Sequence, residues 1–291
     1  MTPPIDRRQF LAASSATIAS TALLTSSAVA EAAKPVRWKK AFMLGQTKGP
    51  ILPTFEMLRE AGFEGVELIS PNALDTDEVL KARDKTGIVI HGVSGAVHWS
   101  SPLSSPDTGV VEKGLAAIRK EIEDVKLYGG TTVLVVPAVV TKDVSYRDAY
   151  TRSQENIKTL LPIAEKAGIK LAIEEVWNKF LLSAPEMSRY IDEFKSDAVG
   201  AYFDVGNVVE YGFPQEWIKE LGKRILKIHI KEYAKPRRFD YPLGEGEIDW
   251  KAVAAALREI GYNGWVTAEV GQGDLNRMKD VVTRMEKLLD E

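Results

Sequence analysis

The 291-residue chain contains no cysteine. It therefore forms no disulfide, carries no lipid-anchored N-terminal cysteine, and relies on its core for stability. It also lacks an excess of either charge: 38 Lys and Arg stand against 41 Asp and Glu, a formal net charge of −3. No basic stripe is left to track a nucleic-acid backbone, since Lys235, Arg237 and Arg238 form only a short loop trio. A run of about twenty purely apolar residues is missing, which argues against a stable membrane span in the mature protein. Missing too are a Gly-rich phosphate fingerprint after the first strand, a composition break, and any linker that would divide the chain.

What is present begins with an address. Arg7-Arg8-Gln9-Phe10-Leu11 is a twin-arginine signature, followed by a weakly apolar Ala/Ser/Thr stretch and a small-residue cleavage site at Ala28-Val29-Ala30. Residues 1–33 are read as a signal peptide that is removed. The partner implied is the twin-arginine translocation machinery, and the destination is the periplasm or the medium. That route carries folded cargo, so a metal loaded in the cytoplasm would survive it.

From residue 34 to 291, short apolar runs alternate with longer amphipathic ones. Strands are expected at Trp38–Leu44, Gly65–Ile69, Ile88–Val93 and Thr132–Val136, with helices at Ile51–Ala61, Asp75–Thr86, Gly109–Tyr128 and Tyr146–Ala167. Four more strands end at Glu175, Asp204, His229 and Glu269. Their helices are expected at Pro185–Phe194, Pro214–Leu221, Trp250–Ile260 and Leu275–Leu289. This rhythm is that of parallel βα units, and about eight of them fit a single (β/α)8 TIM barrel. A doubly wound open sheet is the runner-up.

In such a barrel the active site lies at the C-terminal ends of the strands. Side chains two apart on a strand share a face, so Glu175 is grouped with Leu171 and Ile173, leaving Glu174 outward or at the rim. Glu175, Asp204, His229 and Glu269 would then converge at the mouth. Three crowded carboxylates repel one another strongly, and a divalent cation resolves that cost. Three oxygens and one imidazole nitrogen suit Mn2+, Mg2+ or Co2+, with Zn2+ as a further candidate.

Several other groups fall near the same mouth. Glu67 and His91 fall near the ends of the second and third strands, as substrate contacts or, for Glu67, as partner of Lys227. His98 and Trp99 stand in a Ser/Pro/Gly-rich loop longer than the usual βα connection, where Trp99 either stacks on a sugar or packs the loop down. Lys231 would hold a substrate oxygen or offset carboxylate charge.

At Glu175-Val176-Trp177-Asn178, Phe203-Asp204-Val205-Gly206-Asn207, His229-Ile230-Lys231-Glu232, Leu243–Trp250 and Thr267-Ala268-Glu269 the chain resembles the sugar isomerase/epimerase superfamily of xylose-isomerase-like TIM barrels. The resemblance spans essentially all of residues 34–291. It implies a sugar substrate, commonly a homo-oligomeric state, and an enediolate mechanism in which two metal-bound glutamates, here Glu175 and Glu269, move the protons. Three positions depart from the epimerase pattern. Asn207 stands where a His is usual, Leu181 where an acid is usual, and Lys235 where a substrate-holding Arg is usual. Asn178, Asn207 and Lys235 are thus candidate substrate contacts that mark an altered pocket.

The reading expected is a metal-dependent sugar isomerase or epimerase. The alternative is a lyase that eliminates the aglycone of a 3-keto-glycoside on the same site, and a periplasmic sugar-binding protein ranks third. A multi-metal DNA-repair endonuclease would need more than the three histidines present.

Overall fold

The computed structural model describes residues 37–47 and 49–290; the expected signal peptide, residues 1–33, lies outside them. Eight parallel strands close into a barrel in sequence order: β1 Lys39–Leu44, β2 Gly65–Ser70, β3 Val89–Gly95, β4 Thr132–Val135, β5 Lys170–Glu174, β6 Val199–Asp204, β7 Ile225–Ile230 and β8 Trp265–Ala268. The seam is the parallel pairing of β1 with β8, Lys39 opposite Trp265 through Phe42 opposite Ala268. One main helix follows each strand: α1 Leu52–Ala61, α2 Thr76–Thr86, α3 Thr108–Tyr128, α4 Tyr146–Ala167, α5 Ala184–Asp192, α6 Pro214–Leu221, α7 Trp250–Glu259 and α8 Leu275–Leu289. The expected (β/α)8 TIM barrel is the fold, and the open sheet is excluded by the closed strand order. No helix among the described residues is long and apolar enough to cross a membrane.

Local chemistry explains the helix boundaries. Asp75, Asp107, Ser145, Asp249 and Asp274 each accept a hydrogen bond from a backbone N–H in the first turn of α2, α3, α4, α7 and α8. α3 and α4 end at Gly129 and Gly168, whose φ of 84° and 72° a side chain would resist.

Both faces of the strands are buried, but against different partners. Leu171, Ile173, Phe203, Val205 and Ile228 point outward into the main core beneath the helices. A separate cluster of Leu134, Val136, Ala172 and Tyr202 fills the barrel interior, with Val176 above it. Trp265 plugs the floor: a Cβ on Gly65 would come within 2.6 Å of its ring, so only glycine fits there.

This arrangement reverses the expected register of β5. Leu171 and Ile173 face the helices, so Glu175 shares their outward side, while Ala172, Glu174 and Val176 face in. The outer layer takes the large aliphatic side chains because it packs against helices.

Candidate functional site

Four strands deliver the centre of the mouth. Glu174 ends β5, Asp204 ends β6, His229 lies one residue before the end of β7, and Glu269 follows β8 directly. One potential ligand atom from each lies within 4.8 Å of the others. β6 and β7 place Asp204 and His229 directly opposite one another in register. Of the expected set, the structure therefore brings together Asp204, His229 and Glu269.

Glu175 is not part of this group, and that expectation is corrected. Its Oε1 accepts a 2.8 Å hydrogen bond from the Asp204 backbone N–H, so it holds the end of β6 rather than facing the cleft. Burial pushes its carboxyl well above the usual range, with Glu174 and Asp204 adding to the shift.

His229 is oriented from below. Its Nε2 lies 3.2 Å from Glu67 Oε1, while Nδ1 lies 3.1 Å from Glu174 Oε1 and 3.3 Å from Glu269 Oε2. Burial opposes its charge, but Glu67 and the hydrogen bonds to Glu174, Glu269 and Glu67 outweigh that and raise its pKa well above the ordinary value. A cation taking Nδ1 would displace the proton there, with the Nε2 proton directed at Glu67 fixing the ligand's tautomer. Glu67 is fully buried and also accepts from the Tyr202 hydroxyl. It is therefore a support for His229, and neither a substrate contact nor an ion-pair partner of Lys227.

His91 is corrected in the same way. It stacks on Trp265 with ring centroids 4.9 Å apart, and its Nε2 meets Thr267 Oγ1 at 3.1 Å, in the floor of the barrel. Burial, then the charges of Lys227 and His229, push its pKa well below the ordinary value, so it is neutral.

The electrostatics fit a cation. Burial pushes Asp204 up to about 7, with Glu269 and Glu174 adding and Lys231 opposing. Burial also raises Glu174, against the pull of His229. Lys231 Nζ lies 2.8 Å from Glu269 Oε2 and 3.2 Å from Asp204 Oδ2. Burial opposes its charge, but Asp204, Glu269 and Glu174 outweigh that and raise its pKa. Glu269, although buried, is held below the usual carboxylate range by Lys231 and His229. Lys231 and His229 supply two positive charges against Glu174, Asp204, Glu269 and the underlying Glu67, so the cluster is short of positive charge, and the buried Asp204 Oδ2 faces the Lys231 ammonium without a well-directed hydrogen bond. Three carboxylates and one oriented imidazole nitrogen are a donor set that a hard or borderline divalent ion satisfies.

Above this cluster a cleft of about 300 Å³ is lined by Glu174, His229, Lys231, Glu269, Asn207, Ser94, His98, Trp99, Met43, Val176, Trp177 and Phe239. His98, Trp99, Asn207 and Lys231 of the expected contacts face it. Asn178 and Lys235 do not. Asn178 is buried and ties Ala138 O to Phe180 N, pinning the loop after β5. The Lys235 side chain is 71% exposed, with its nearest carboxylate, that of Glu210, 4.0 Å away. Leu181 is buried in the same loop with φ of 54°.

Glu174, Met43, Ser94, Val176, Trp177 and Phe239 are cleft residues that sequence reasoning missed. The small Ala172 between large Leu171 and Ile173 was a usable signal for the inward face of β5. Phe239 had none, because a long loop places it.

The model of the family described as xylose isomerase-like TIM barrel matches residues 55–289. An L-ribulose-5-phosphate 3-epimerase of Escherichia coli O1:K1 is 25% identical over 264 residues, covering 81% of this chain and 90% of that one. Among solved structures, the 3-keto-D-glucoside 4-epimerase of E. coli superposes with a TM-score of 0.73 at 19% identity, covering 86% of this chain and 100% of that one. The D-allulose 3-epimerase of Methylomonas sp. superposes with a TM-score of 0.75 at 17% identity, covering 88% and 98%. With eight strands closed in order and a family match that runs from α1 to α8, the chain belongs to the xylose isomerase-like TIM barrel family.

Proposed function

We propose that the protein is a divalent-metal-dependent isomerase or epimerase of a sugar or keto-sugar, working through an enediolate with Glu174 and Glu269 as acid and base. The observation that carries this reading is the convergence of Glu174, Asp204, His229 and Glu269 within 4.8 Å at the barrel mouth, beneath an open cleft. Mn2+, Mg2+ or Co2+ would be held by these four, supplying the positive charge that makes a C–H beside a carbonyl acidic.

The chain's own groups do the rest. Glu174 and Glu269 come from strands three apart in the barrel, so they approach a substrate from different sides. One removes the proton from the carbon beside the carbonyl; the other returns a proton to the opposite face, and that carbon inverts. Lys231, between Asp204 and Glu269, offsets carboxylate charge and presents an ammonium group to substrate oxygens. His98 is held through Nδ1 by Gly95 O, and burial lowers its pKa, so Nε2 is a neutral hydrogen-bonding group at the cleft. A relative named as a sugar-phosphate 3-epimerase and solved neighbours named as sugar epimerases support the reaction class. Arg7-Arg8 and the small-residue stretch Ala28-Val29-Ala30 support an activity outside the cytoplasm.

The test is incubation of the Mn2+-loaded protein in D2O with free ketoses and with 3-keto-glycosides, followed by NMR. Deuterium incorporation with inversion at one carbon is the expected result. Release of the aglycone reassigns the site to a lyase, and absence of exchange with every sugar overturns the proposal.

A further inference from the structure

We infer that Glu121 is a positioning residue for the cleft: its carboxyl supports from beneath the loop that brings His98 and Trp99 to the mouth, and ionisation of that carboxyl releases the loop. Glu121 stands on α3, outside the barrel wall, and only 1% of it is exposed. It packs against Gly95, the last residue of β3, where a Cβ would sit 3.2 Å from its Oε1 and 3.5 Å from its Oε2. Gly95 is also the residue whose carbonyl holds His98 Nδ1, at 3.1 Å. Beside these groups lies a cavity of about 20 Å³, with Glu121, Gly95, His98, Ser101, Leu103 and Gly114 in its wall and apolar side chains of α3 and β4 closing the rest. His98 also lines the cleft above the carboxylate cluster, so the same side chain borders both spaces.

The loop over the cavity is tied at its ends and not in its middle. At the near end Ala96 N donates to Ser70 O at 3.0 Å. At the far end Ser104 Oγ bonds Val139 O and N at 3.0 and 2.9 Å, and Asn156 Nδ2 donates to Leu103 O at 2.8 Å. Between them, Ser100 N and Ser101 N both donate to Val97 O, at 3.0 and 2.8 Å. Among the described residues, the backbone hydrogen bonds of residues 97–101 thus close within the loop. Packing holds this stretch down: a Cβ on Gly114 would come within 2.4 Å of Ser101 O, so the loop backbone rests directly on α3. Glu121 follows Gly114 by about two turns, on the same face of the helix.

A carboxyl in that position is stable uncharged. Glu121 Oε2 has no hydrogen-bond partner, and burial, with Asp124 adding, pushes the group well above the usual carboxylate range. The groups that face it do not offset a charge. Asp124 is already bonded by Lys120 and by Ser70 Oγ of β2, burial lowers the pKa of His98, and β4 contributes only Leu134, Val135 and Val136. Arg152 of α4 reaches the far end of the loop, at Ser104 O. An ionised Glu121 therefore needs water, and residues 97–101 are the stretch that lifts to admit it. With the loop lifted, the carboxyl ionises near its ordinary value of about 4.3; with the loop down, only at higher pH. Between those values the lowered loop binds more protons, so each pH unit favours the lifted form by up to about tenfold. Lifting carries His98 Nε2 and the Trp99 ring out of the cleft wall.

Hydrogen exchange of the full chain, loaded with Mg2+ and followed by mass spectrometry from pH 5 to pH 8, tests this. Protection of residues 97–103, corrected for the intrinsic pH dependence of exchange, should fall about tenfold or more in the wild type and less than about twofold in Glu121→Gln. Protection of Tyr146–Ala167 should stay level in both. The His98 Cε1–H resonance, one of only three from histidine, should follow the same step in the wild type and lose it in Glu121→Gln. Glu121→Leu, which removes charge and hydrogen bonding together, should be as flat as Glu121→Gln and serves if the latter fails to fold. Equal pH dependence in the wild type and the variants, or a loss shared by Tyr146–Ala167, overturns the inference. None of these readouts needs a substrate to turn over, so the result is independent of the proposed reaction.

Discussion

Glu67 contacts no solvent, yet its two oxygens are both used, one toward His229 Nε2 and the other by the Tyr202 hydroxyl. Glu67→Gln keeps the shape and removes the charge that fixes the His229 tautomer. Mn2+ affinity measured by titration is expected to fall about 10- to 100-fold while the fold persists; an unchanged affinity would show that Glu67 plays no part. Glu121 lies away from this centre, buried against Gly95 with Oε2 unpartnered. Burial, with Asp124 adding, pushes its carboxyl well above the usual range. The unfolded chain releases this proton at about 4.3 and the folded chain only at higher pH. Between those two values the folded state binds more protons, so stability is lost as pH rises through that window. Glu121→Gln should therefore melt above the wild type at pH 7, with the gap closing toward pH 4, in a calorimetric series. At this scale Asp204, His229 and Glu269 were legible, because each closes an apolar run at a strand end. Glu174 was not, because both faces of β5 are buried and the alternation that would reveal the inward side disappears.

The segment from Lys231 to Asp249, between β7 and α7, depends on one carboxylate. Glu232 is fully buried, and accepts from Tyr233 N at 3.0 Å, Gly244 N at 2.7 Å and Trp250 Nε1 at 2.8 Å. Gly246 passes so close that a Cβ there would sit 2.4 Å from Glu232 Oε1. Glu232→Ala strands three donors and should cost on the order of 3 kcal/mol. That corresponds to a melting temperature lower by roughly 5–10 °C in a chain of this size, and a loss under one degree would refute the assignment. Helices were the most legible elements: Tyr146–Ala167, Pro214–Leu221 and Leu275–Leu289 are found at the expected boundaries. Apolar periodicity with a cap or proline at one end is local information. The inward placement of Phe239 is not, since contacts with Trp177 and Tyr233 set it.

Across the whole molecule, the candidate ligands join β5, β6, β7 and the end of β8, half of the closed barrel. An ion that binds there only when the chain is folded stabilises it by mass action, about 2.7 kcal/mol at a hundredfold excess over Kd. Mn2+ should raise the melting temperature by several degrees and a chelator should reverse it; a melting curve indifferent to both would count against a metal centre. The most direct measurement is a calorimetric Mn2+ titration of the wild type, Glu174→Gln and Glu175→Gln side by side. Wild type and Glu175→Gln should each bind one ion per chain with similar affinity, and Glu174→Gln should bind at least a hundredfold more weakly. Loss of binding in Glu175→Gln with retention in Glu174→Gln would contradict the account.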